Sequence, residues 1–212
     1  MLTVGGYSFN PFSENTYILH NDKKDCIIID PGCYDHQEQH VLEHYIHSND
    51  LNPKYIFLTH THIDHVVGLS FVKSKWKVPV IAHPLATKGL ATTEMVAKLY
   101  GLKVDLPPPV DEFKNEGDVL MLGDQKLEIL FCPGHAPDHL VLYSAENKFA
   151  IVGDVLFNGS IGRTDLPGGN YETLMESIHT KLLILPSDTV IYPGHGPETT
   201  IKQEITNNPF LK

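Results

Sequence analysis

The sequence predicts a mixed α+β fold in which two β-sheets pack together and helices cover their outer faces. Short apolar or alternating runs, separated by turn residues, come first and in series. Helical segments are then interspersed among further strands, without the regular alternation of a βαβ repeat. Of the 212 residues, 42% are hydrophobic and 20% are charged, as in globular chains with a packed core. We expect a single domain over residues 1–212.

The N-terminal elements are three strands and a helix. Apolar or alternating runs predict strands at Leu2–Phe9, Thr16–His20 and Cys26–Asp30. A helix follows over residues 35–48, because its apolar residues fall on one face: Val41, Leu42, Tyr45 and Ile46. Four histidines fall on the opposite face: His36, His40, His44 and His47. No carboxylate or cysteine completes a site there, so we interpret them as a stripe that faces solvent.

The middle of the chain alternates between strands and helical spacing. A short buried strand at residues 55–58 runs directly into a histidine-rich motif. Helical spacing over residues 66–76, a strand at 78–82 and a mostly helical segment at 84–100 follow. The proline-rich segment at residues 106–109 ends this part of the chain.

The second half predicts another set of strands and a longer helix. Residues 119–122 and 126–132 form a hairpin around Gly123-Asp124, and further strands are predicted at 139–144 and 149–152. A helix over residues 171–185 has Asn170 as its N-cap and Pro186 as its stop. A last strand at residues 189–192 precedes a short helix.

Charge and composition exclude several classes of partner. The formal net charge is −10, and Arg163 is the only arginine, which argues against binding of nucleic acid. No apolar run is long enough to span a membrane, and the first ten residues lack the pattern of a secretory signal. The three cysteines (Cys26, Cys33 and Cys132) indicate free thiols instead of a disulfide framework. We therefore expect a cytoplasmic protein with a small-molecule substrate; the sequence leaves its oligomeric state open.

The strongest chemical signal is the segment His60-Thr61-His62-Ile63-Asp64-His65. Residues two apart in an extended backbone point the same way, so His60 and His62 can reach one metal ion. Asp64 and His65 follow where the chain turns into a helix, and they can reach a second point nearby.

Three later strands end in residues that bind metals well, namely His135, Asp154 and His195. Together with the first motif they make five histidines and two aspartates, a set that suits two metal ions sharing one carboxylate. Nitrogen and oxygen donors without thiolate favour zinc, with iron or manganese as alternatives. We expect two other histidines, His20 and His83, to be hydrogen-bonded structural residues.

These residues give the sequence a clear family resemblance. It resembles the metallo-β-lactamase superfamily, specifically its short, single-domain, glyoxalase-II-like hydrolases. The matching motifs are Ile29-Asp30-Pro31-Gly32, the THTHIDH run, Pro133-Gly134-His135, Gly153-Asp154 with Phe157, Gly162-Arg163-Thr164-Asp165, Pro193-Gly194-His195 and Asn208-Pro209-Phe210-Leu211. The resemblance implies a four-layer αββα sandwich with the metal ions at one edge of the two sheets.

The resemblance also implies roles for individual residues. The first metal would be held by His60, His62 and His135, and the second by Asp64, His65 and His195. Asp154 would bridge the two ions.

Four further residues would support this set from behind. Asp30 would orient ligands, and His139 is a possible neighbour of the site. Asp165 would form part of a buried ion pair with Arg163 behind the site; a purely structural salt bridge is the alternative for Arg163.

The resemblance implies hydrolysis of a thioester by a metal-activated hydroxide, which Asp64 would also orient. A thiol has a pKa of about 8.5 and leaves without a strong general acid. Hydrolysis of a lactone or ester, and a persulfide dioxygenase with one iron, remain alternatives. Hydrolysis of β-lactams is less favoured, because Asp154 occupies a position where those enzymes often have cysteine. The complete donor set argues against a non-enzymatic metal-binding domain.

Two departures from the family pattern bear on the substrate. Asp138 stands where a glycine is usual, so it either alters the rim of the site or is simply solvated. The segment after His195 carries only Lys202 and Lys212 as cations, so specificity for glutathione does not carry over.

Overall fold

The first sheet of the computed structural model, which describes residues 1–212, contains six strands in chain order. Its first three strands pair antiparallel and the remaining three continue in parallel. The strands are β1 (Leu2–Phe9), β2 (Glu14–Asn21), β3 (Asp25–Ile29), β4 (Asn52–Phe57), β5 (Val80–Ala82) and β6 (Glu112–Phe113).

The second sheet also has six strands that follow one another in chain order, with two intervening strands set apart in a small hairpin. Its strands are β7 (Val119–Leu122), β8 (Gln125–Phe131), β9 (Leu140–Ser144), β10 (Phe149–Gly153), β13 (Val190–Pro193) and β14 (Thr199–Thr200). The sheet order is β14-β13-β10-β9-β8-β7. The pair β10 and β13 is parallel, and the other neighbours are antiparallel. A separate small hairpin contains β11 (Leu156–Phe157) and β12 (Ser160–Ile161).

Seven α-helices connect and cover the sheets. They are α1 (His36–Ser48), α2 (Ile63–Val66), α3 (Leu69–Trp76), α4 (Ala86–Leu90), α5 (Thr93–Leu99), α6 (Tyr171–Ser177) and α7 (Ile201–Asn207). A π-helical segment, Ile178–Leu182, extends α6, and a 3₁₀ turn, Pro209–Leu211, ends the fold. No helix is both long enough and apolar enough to cross a membrane.

The alternation of side chains along each strand produces the four layers. In β3, Ile27 and Ile29 point to the core between the two sheets, whereas Ile28 packs against the helices α1 and α3. In the second sheet, Leu142 faces the other sheet and Val141 packs with Leu174 of α6. Three apolar layers therefore separate helix, sheet, sheet and helix, which confirms the expected αββα arrangement.

The predicted helix over residues 66–76 is two helices. The carbonyl of Asp64, which would accept the next helical bond, instead accepts a hydrogen bond from Asn10 Nδ2 at 2.9 Å. The main-chain N–H of Gly68 donates to Pro31 O at 2.8 Å. The chain therefore turns between α2 and α3, a break that depends on distant partners and leaves no local sequence signal.

Other differences from the sequence prediction are smaller. The helical segment at residues 84–100 is divided into α4 and α5, and the longer C-terminal helix changes to π-helical geometry after Ser177. The short strands β6, β11, β12 and β14 were not predicted, because two-residue strands give almost no periodic signal. Val41, although on the apolar face of α1, is exposed.

Several local predictions are confirmed. Asn170 caps α6 by accepting a hydrogen bond from the N–H of Thr173 at 2.8 Å. The four histidines of α1 face solvent, and the three cysteines are free and buried. His83 packs flat against Phe131, with ring centroids 4.3 Å apart, as a structural residue.

Candidate metal centre

The candidate site lies where the ends of strands from both sheets meet. In the second sheet, β8, β10 and β13 run in the same direction, so the residues that follow them reach one edge. These residues are His135, Asp154 and His195. From the first sheet, β4 leads into the turn that carries His60 and His62 before α2 begins. Four separate segments therefore supply the candidate donors.

Three groups of three candidate donor atoms form at this edge; one combines Asp30 with His60 and His65, and the other two match the sets that the family resemblance implies. Ligand atoms of His60, His62 and His135 lie within 4.8 Å of one another, and so do those of Asp64, His65 and His195.

Asp154 lies between these two groups. Its Oδ1 is 3.4 Å from His65 Nε2, and its Oδ2 is 3.5 Å from both His135 Nε2 and His195 Nε2. Gly194 permits this approach, because a Cβ at that position would collide with Asp154 Oδ1. The structure thus brings all seven predicted donors together.

One carboxylate, that of Asp30, orients two of the histidines. Asp30 Oδ2 is 3.0 Å from His65 Nδ1 and accepts a hydrogen bond from the hydroxyl of Thr59 at 2.5 Å. The Thr59 oxygen is in turn 3.0 Å from His60 Nδ1. When Nδ1 donates in this way, Nε2 is left with a free lone pair. Both histidines therefore present Nε2 to the centre.

Main-chain carbonyls orient two more histidines. His135 Nδ1 lies 2.8 Å from Arg163 O, and His195 Nδ1 lies 3.2 Å from Ser13 O. His62 differs, because its Nδ1 lies 2.8 Å from His135 Nε2 and thus faces the centre itself. Arg163 therefore contacts the site through its backbone and not through its guanidinium.

The buried polar atoms that lack a partner fit a metal centre. His60 Nε2, His65 Nε2 and Asp154 Oδ1 are inaccessible to solvent and make no hydrogen bond. Buried polar groups are almost always hydrogen-bonded. Three such atoms at one point, from two imidazoles and a carboxylate, are the donor chemistry that a divalent cation requires. The residues at this site therefore fit the divalent metal ions that the family resemblance implies.

The electrostatics divide the histidines into neutral and charged members. Burial, together with the neighbouring histidines, lowers the pKa of His60 well below its usual value and that of His62 to about 4. Burial acts the same way on His65, but the carboxylates of Asp64 and Asp154 outweigh it and raise its pKa well above the usual value. Without a cation, these carboxylates therefore favour the protonated form of His65 over the neutral one.

Two residues that the sequence motifs do not mark, Thr59 and Glu14, also support the site. Thr59 connects Asp30 to His60, as described above. Glu14 is fully buried, accepts a hydrogen bond from the Thr16 hydroxyl at 2.9 Å and has Oε1 3.8 Å from His65 Nδ1. Thr59 adjoins the metal motif in sequence, which is a usable signal, but nothing local marks Glu14.

The expected buried ion pair between Arg163 and Asp165 is wrong in its location. The pair forms with two contacts of 2.7 Å, but the two side chains are 60% and 66% exposed. Both lie in the loop after β12, at the rim of the site instead of behind it, and the main chain makes the contact with His135.

Asp138 is not solvated, contrary to one of the two alternatives. It is only 3% exposed, and its Oδ2 accepts a hydrogen bond from the Thr61 hydroxyl at 2.6 Å. Burial raises its pKa. The neighbouring His139 is also buried; its Nε2 accepts a hydrogen bond from the N–H of Asp154 at 3.1 Å, and its ring stacks on His60.

A cavity of about 890 Å³ opens onto the donors. His62, Asp64, His135, Asp154 and His195 all contribute to its wall. The helices α4 and α5 form much of the remainder. This volume is in the range of small-molecule sites.

Residues 9–195 match the family described as the metallo-beta-lactamase superfamily. The chain belongs to this superfamily. It is 43% identical to the protein from Haemophilus influenzae named hydroxyacylglutathione hydrolase GloC, over 94% of this chain and 93% of the relative. Among solved structures, BLEG-1 B3 metallo-beta-lactamase superposes with a TM-score of 0.91 and 35% identity, covering 99% of this chain and all of the other. TTHA1623 in a di-iron-bound form gives a TM-score of 0.86 and 36% identity, covering 98% of this chain and all of the other.

Proposed function

We propose that this superfamily member is a dinuclear metal-dependent hydrolase that cleaves thioesters. The observation that carries the proposal is the meeting of seven candidate donors at one edge of the sheets, five of them in the wall of one cavity, with Asp154 between two groups of three. Similarity to a protein named hydroxyacylglutathione hydrolase supports a thioester as the bond that is cleaved.

The two groups of donors would each hold one metal ion, with Asp154 shared between them. Metal ions bound there would supply Lewis acidity and a hydroxide nucleophile at neutral pH. Zinc is the metal proposed first, and the di-iron neighbour makes iron the second metal to test.

Asp64 is the residue proposed to orient the nucleophile. It lies in the cavity wall, with Oδ2 3.1 Å from His195 Nε2. Burial acts to raise its pKa, but His65 and His195 outweigh burial and lower it. The carboxylate is therefore ionised at neutral pH and can accept a hydrogen bond from the nucleophile, which would orient it for attack. The thiol product needs no matching acid, because thiolates are good leaving groups.

The test is turnover by protein whose metal content has been quantified. A hydroxyacyl thioester, a lactone and a persulfide are each incubated with protein loaded with zinc or iron, with and without a chelator. We expect thioester cleavage, measured by release of free thiol, that the chelator abolishes. Oxygen consumption with the persulfide and no thiol release from the thioester would overturn the proposal in favour of a dioxygenase.

A pair of histidine variants tests whether metal binding depends on the proposed ligands and not on any histidine of the chain. We expect His135→Asn to lose metal and turnover together, because His135 is a proposed ligand. His40→Asn replaces an exposed histidine of α1, far from the donors, and we expect full activity and full metal content. Equal loss in both variants would contradict the assignment.

Hydrolysis of β-lactams is a second candidate, favoured by the similarity to BLEG-1 B3 metallo-beta-lactamase. The same metal-loaded protein is therefore assayed with a penicillin and a carbapenem. Under the thioester proposal, kcat/KM for these compounds is far below that for the thioester; the reverse order would establish the second candidate.

A further inference from the structure

Helix α5 has three chemically distinct faces. At 3.6 residues per turn, Thr93 and Ala97 share the face that is buried in the protein. Glu94 and Lys98 share a second face and form an ion pair of 2.7 Å in solvent. The third face contributes to the wall of the cavity. The first face packs against the protein, and the second is charged and faces solvent. The third face has neither of these roles.

This third face is apolar although it is exposed. Met95 is 60% exposed and Leu99 is 78% exposed, and both line the cavity. Leu85 and Tyr100, at either end of the α4–α5 segment, are also exposed and line the same cavity. Contiguous exposed apolar surface on a protein commonly marks a binding site.

Apolar side chains from other elements line the cavity as well. The Phe12 ring contacts Tyr100 edge-on, with centroids 5.3 Å apart, and thus joins the loop after β1 to the end of α5. Phe157 and Leu166 also line the cavity. An apolar group in this cavity would therefore meet apolar side chains from several elements of the fold.

The apolar walls are continuous with the candidate metal centre, which identifies the kind of molecule that fits. Whatever lies against α5 occupies the same cavity as Asp64 and Asp154. Lys88 also lines the cavity and forms no ion pair, whereas the guanidinium of Arg163 is occupied by Asp165. The cavity therefore offers much apolar surface but only one cation without a partner.

We propose that the substrate is a thioester with an extended apolar acyl group, which lies against α4 and α5 while its carbonyl reaches the metal donors. The assignment to the acyl side follows from chemistry, because the thiol carriers of cells are polar molecules and an apolar wall suits the other part of a thioester. This inference rests on the proposed function and specifies its substrate class.

A chain-length series tests the inference. Acetyl, butanoyl, hexanoyl and octanoyl thioesters of N-acetylcysteamine, a small neutral thiol, are compared on metal-loaded protein. Each two-carbon step should increase kcat/KM by on the order of tenfold while the chain gains apolar contacts, mostly through a lower KM. A second series keeps the acetyl group and lengthens an alkanethiol; we expect a much weaker trend.

A matched pair of variants locates the effect. Leu99→Ser removes an apolar side chain from the cavity wall and should reduce the ratio of kcat/KM between octanoyl and acetyl thioesters by on the order of tenfold. Ile184→Ser replaces a residue that is 73% exposed and lies outside the cavity. It should leave that ratio and the basal rate unchanged.

A binding measurement makes the test independent of turnover. Non-hydrolysable S-alkyl thioethers of N-acetylcysteamine are titrated into metal-free protein by calorimetry. Affinity should increase with chain length, with a negative heat-capacity change on binding, and Leu99→Ser should weaken the trend.

The outcomes separate this inference from the proposed function. If all thioesters are cleaved with the same or falling kcat/KM as the acyl group lengthens, the inference fails and the proposed function stands. A rise along the thiol series instead of the acyl series also overturns it. If metal-loaded protein cleaves no thioester, the proposed function fails and takes the substrate assignment with it.

Discussion

The metal centre and the α4–α5 segment are adjoining parts of one cavity, but they differ in polarity and in how their side chains are held. In the centre, His60 and His65 are buried, and their rings are fixed by hydrogen bonds that lead to a single carboxylate, that of Asp30. The α4–α5 segment consists of two short helices, neither with a side-chain N-cap, that expose Met95 and Leu99 to the cavity. One region is rigid and polar, and the other is lightly anchored and apolar.

The residues proposed for the reaction and those proposed to select the substrate therefore lie on separate structural supports. Donors that must keep fixed positions lie at strand ends, where the sheets hold the backbone. A surface that only has to cover a substrate can lie on short helices. The two regions meet at Thr61, which hydrogen-bonds Asp138 and lies against Gly89 of α4.

The largest effect is expected from the residue shared by both donor groups. Asp154→Ala should abolish both metal binding and thioester turnover, with a rate loss of about a thousandfold or more, because the metal ions would supply most of the catalysis. Metal content by mass spectrometry and thiol release measure the two effects. Asp188→Ala, an exposed aspartate, is the control and should change neither. Two retained metals with full rate would disprove the assignment of Asp154.

A smaller effect is expected from the carboxylate behind the histidines. Asp30→Asn should weaken metal affinity by about 10- to 100-fold, because the orienting bond to His65 is lost. Glu14→Gln should weaken metal affinity less than Asp30→Asn does. Glu14 Oε1 is 3.8 Å from His65 Nδ1, whereas Asp30 Oδ2 is 3.0 Å from the same atom. Competition with a chromogenic chelator ranks the two variants, and the reverse ranking would make Glu14 the principal support.

The contact between helix α4 and the metal motif can be tested at Gly89, which lies against Thr61. Glycine to alanine inside a helix ordinarily stabilises a protein by up to about 1 kcal/mol. Here a Cβ would collide with the Thr61 hydroxyl, so we expect Gly89→Ala to lower the free energy of unfolding by about 1–3 kcal/mol. Urea denaturation of metal-free protein measures it.

A double mutant controls this prediction. In a Thr61→Ala background the collision with the hydroxyl is removed and only the 2.8 Å approach to the Cβ of residue 61 remains, so Gly89→Ala should cost less there than in the parent protein. An equal cost in both backgrounds would mean that α4 is not held against the metal motif at this point.

The smallest effect concerns pH. Burial raises the pKa of Asp138, so its ionised form is less favourable in the folded than in the unfolded protein. The stability that it contributes is present below its unfolded pKa and is lost as pH rises through the folded pKa. Asp138→Asn keeps an acceptor for Thr61 and removes the ionisation.

The variant should therefore gain stability relative to the parent as pH rises from 4 to 7. The difference in melting temperature between the two metal-free proteins, followed over that range, measures this effect. A difference that is constant with pH would show that Asp138 does not titrate differently on folding.

The sequence predicted most strands well because local alternation governs which face of a strand is buried. Residues 2–9 and 119–122 match their strands without error. The seven candidate donors, which the structure brings together, were also predicted, since they stand in short motifs after apolar strands. The break before α3 was missed, because it depends on Asn10 and Pro31, which are distant in the chain. The exposure of Arg163 and Asp165 and the burial of Asp138 were likewise decided by the packing of loops.

By itself, therefore, the sequence determined the layered fold, the family and the identity of the candidate donors, because strand periodicity and short-range spacing are local properties. Only the tertiary structure decided which ring nitrogen each histidine presents, that Glu14 and Thr59 surround the centre, and that apolar side chains of α5 face the same cavity. Those features depend on contacts between segments far apart in the chain, and side-chain spacing within one segment carries no information about them.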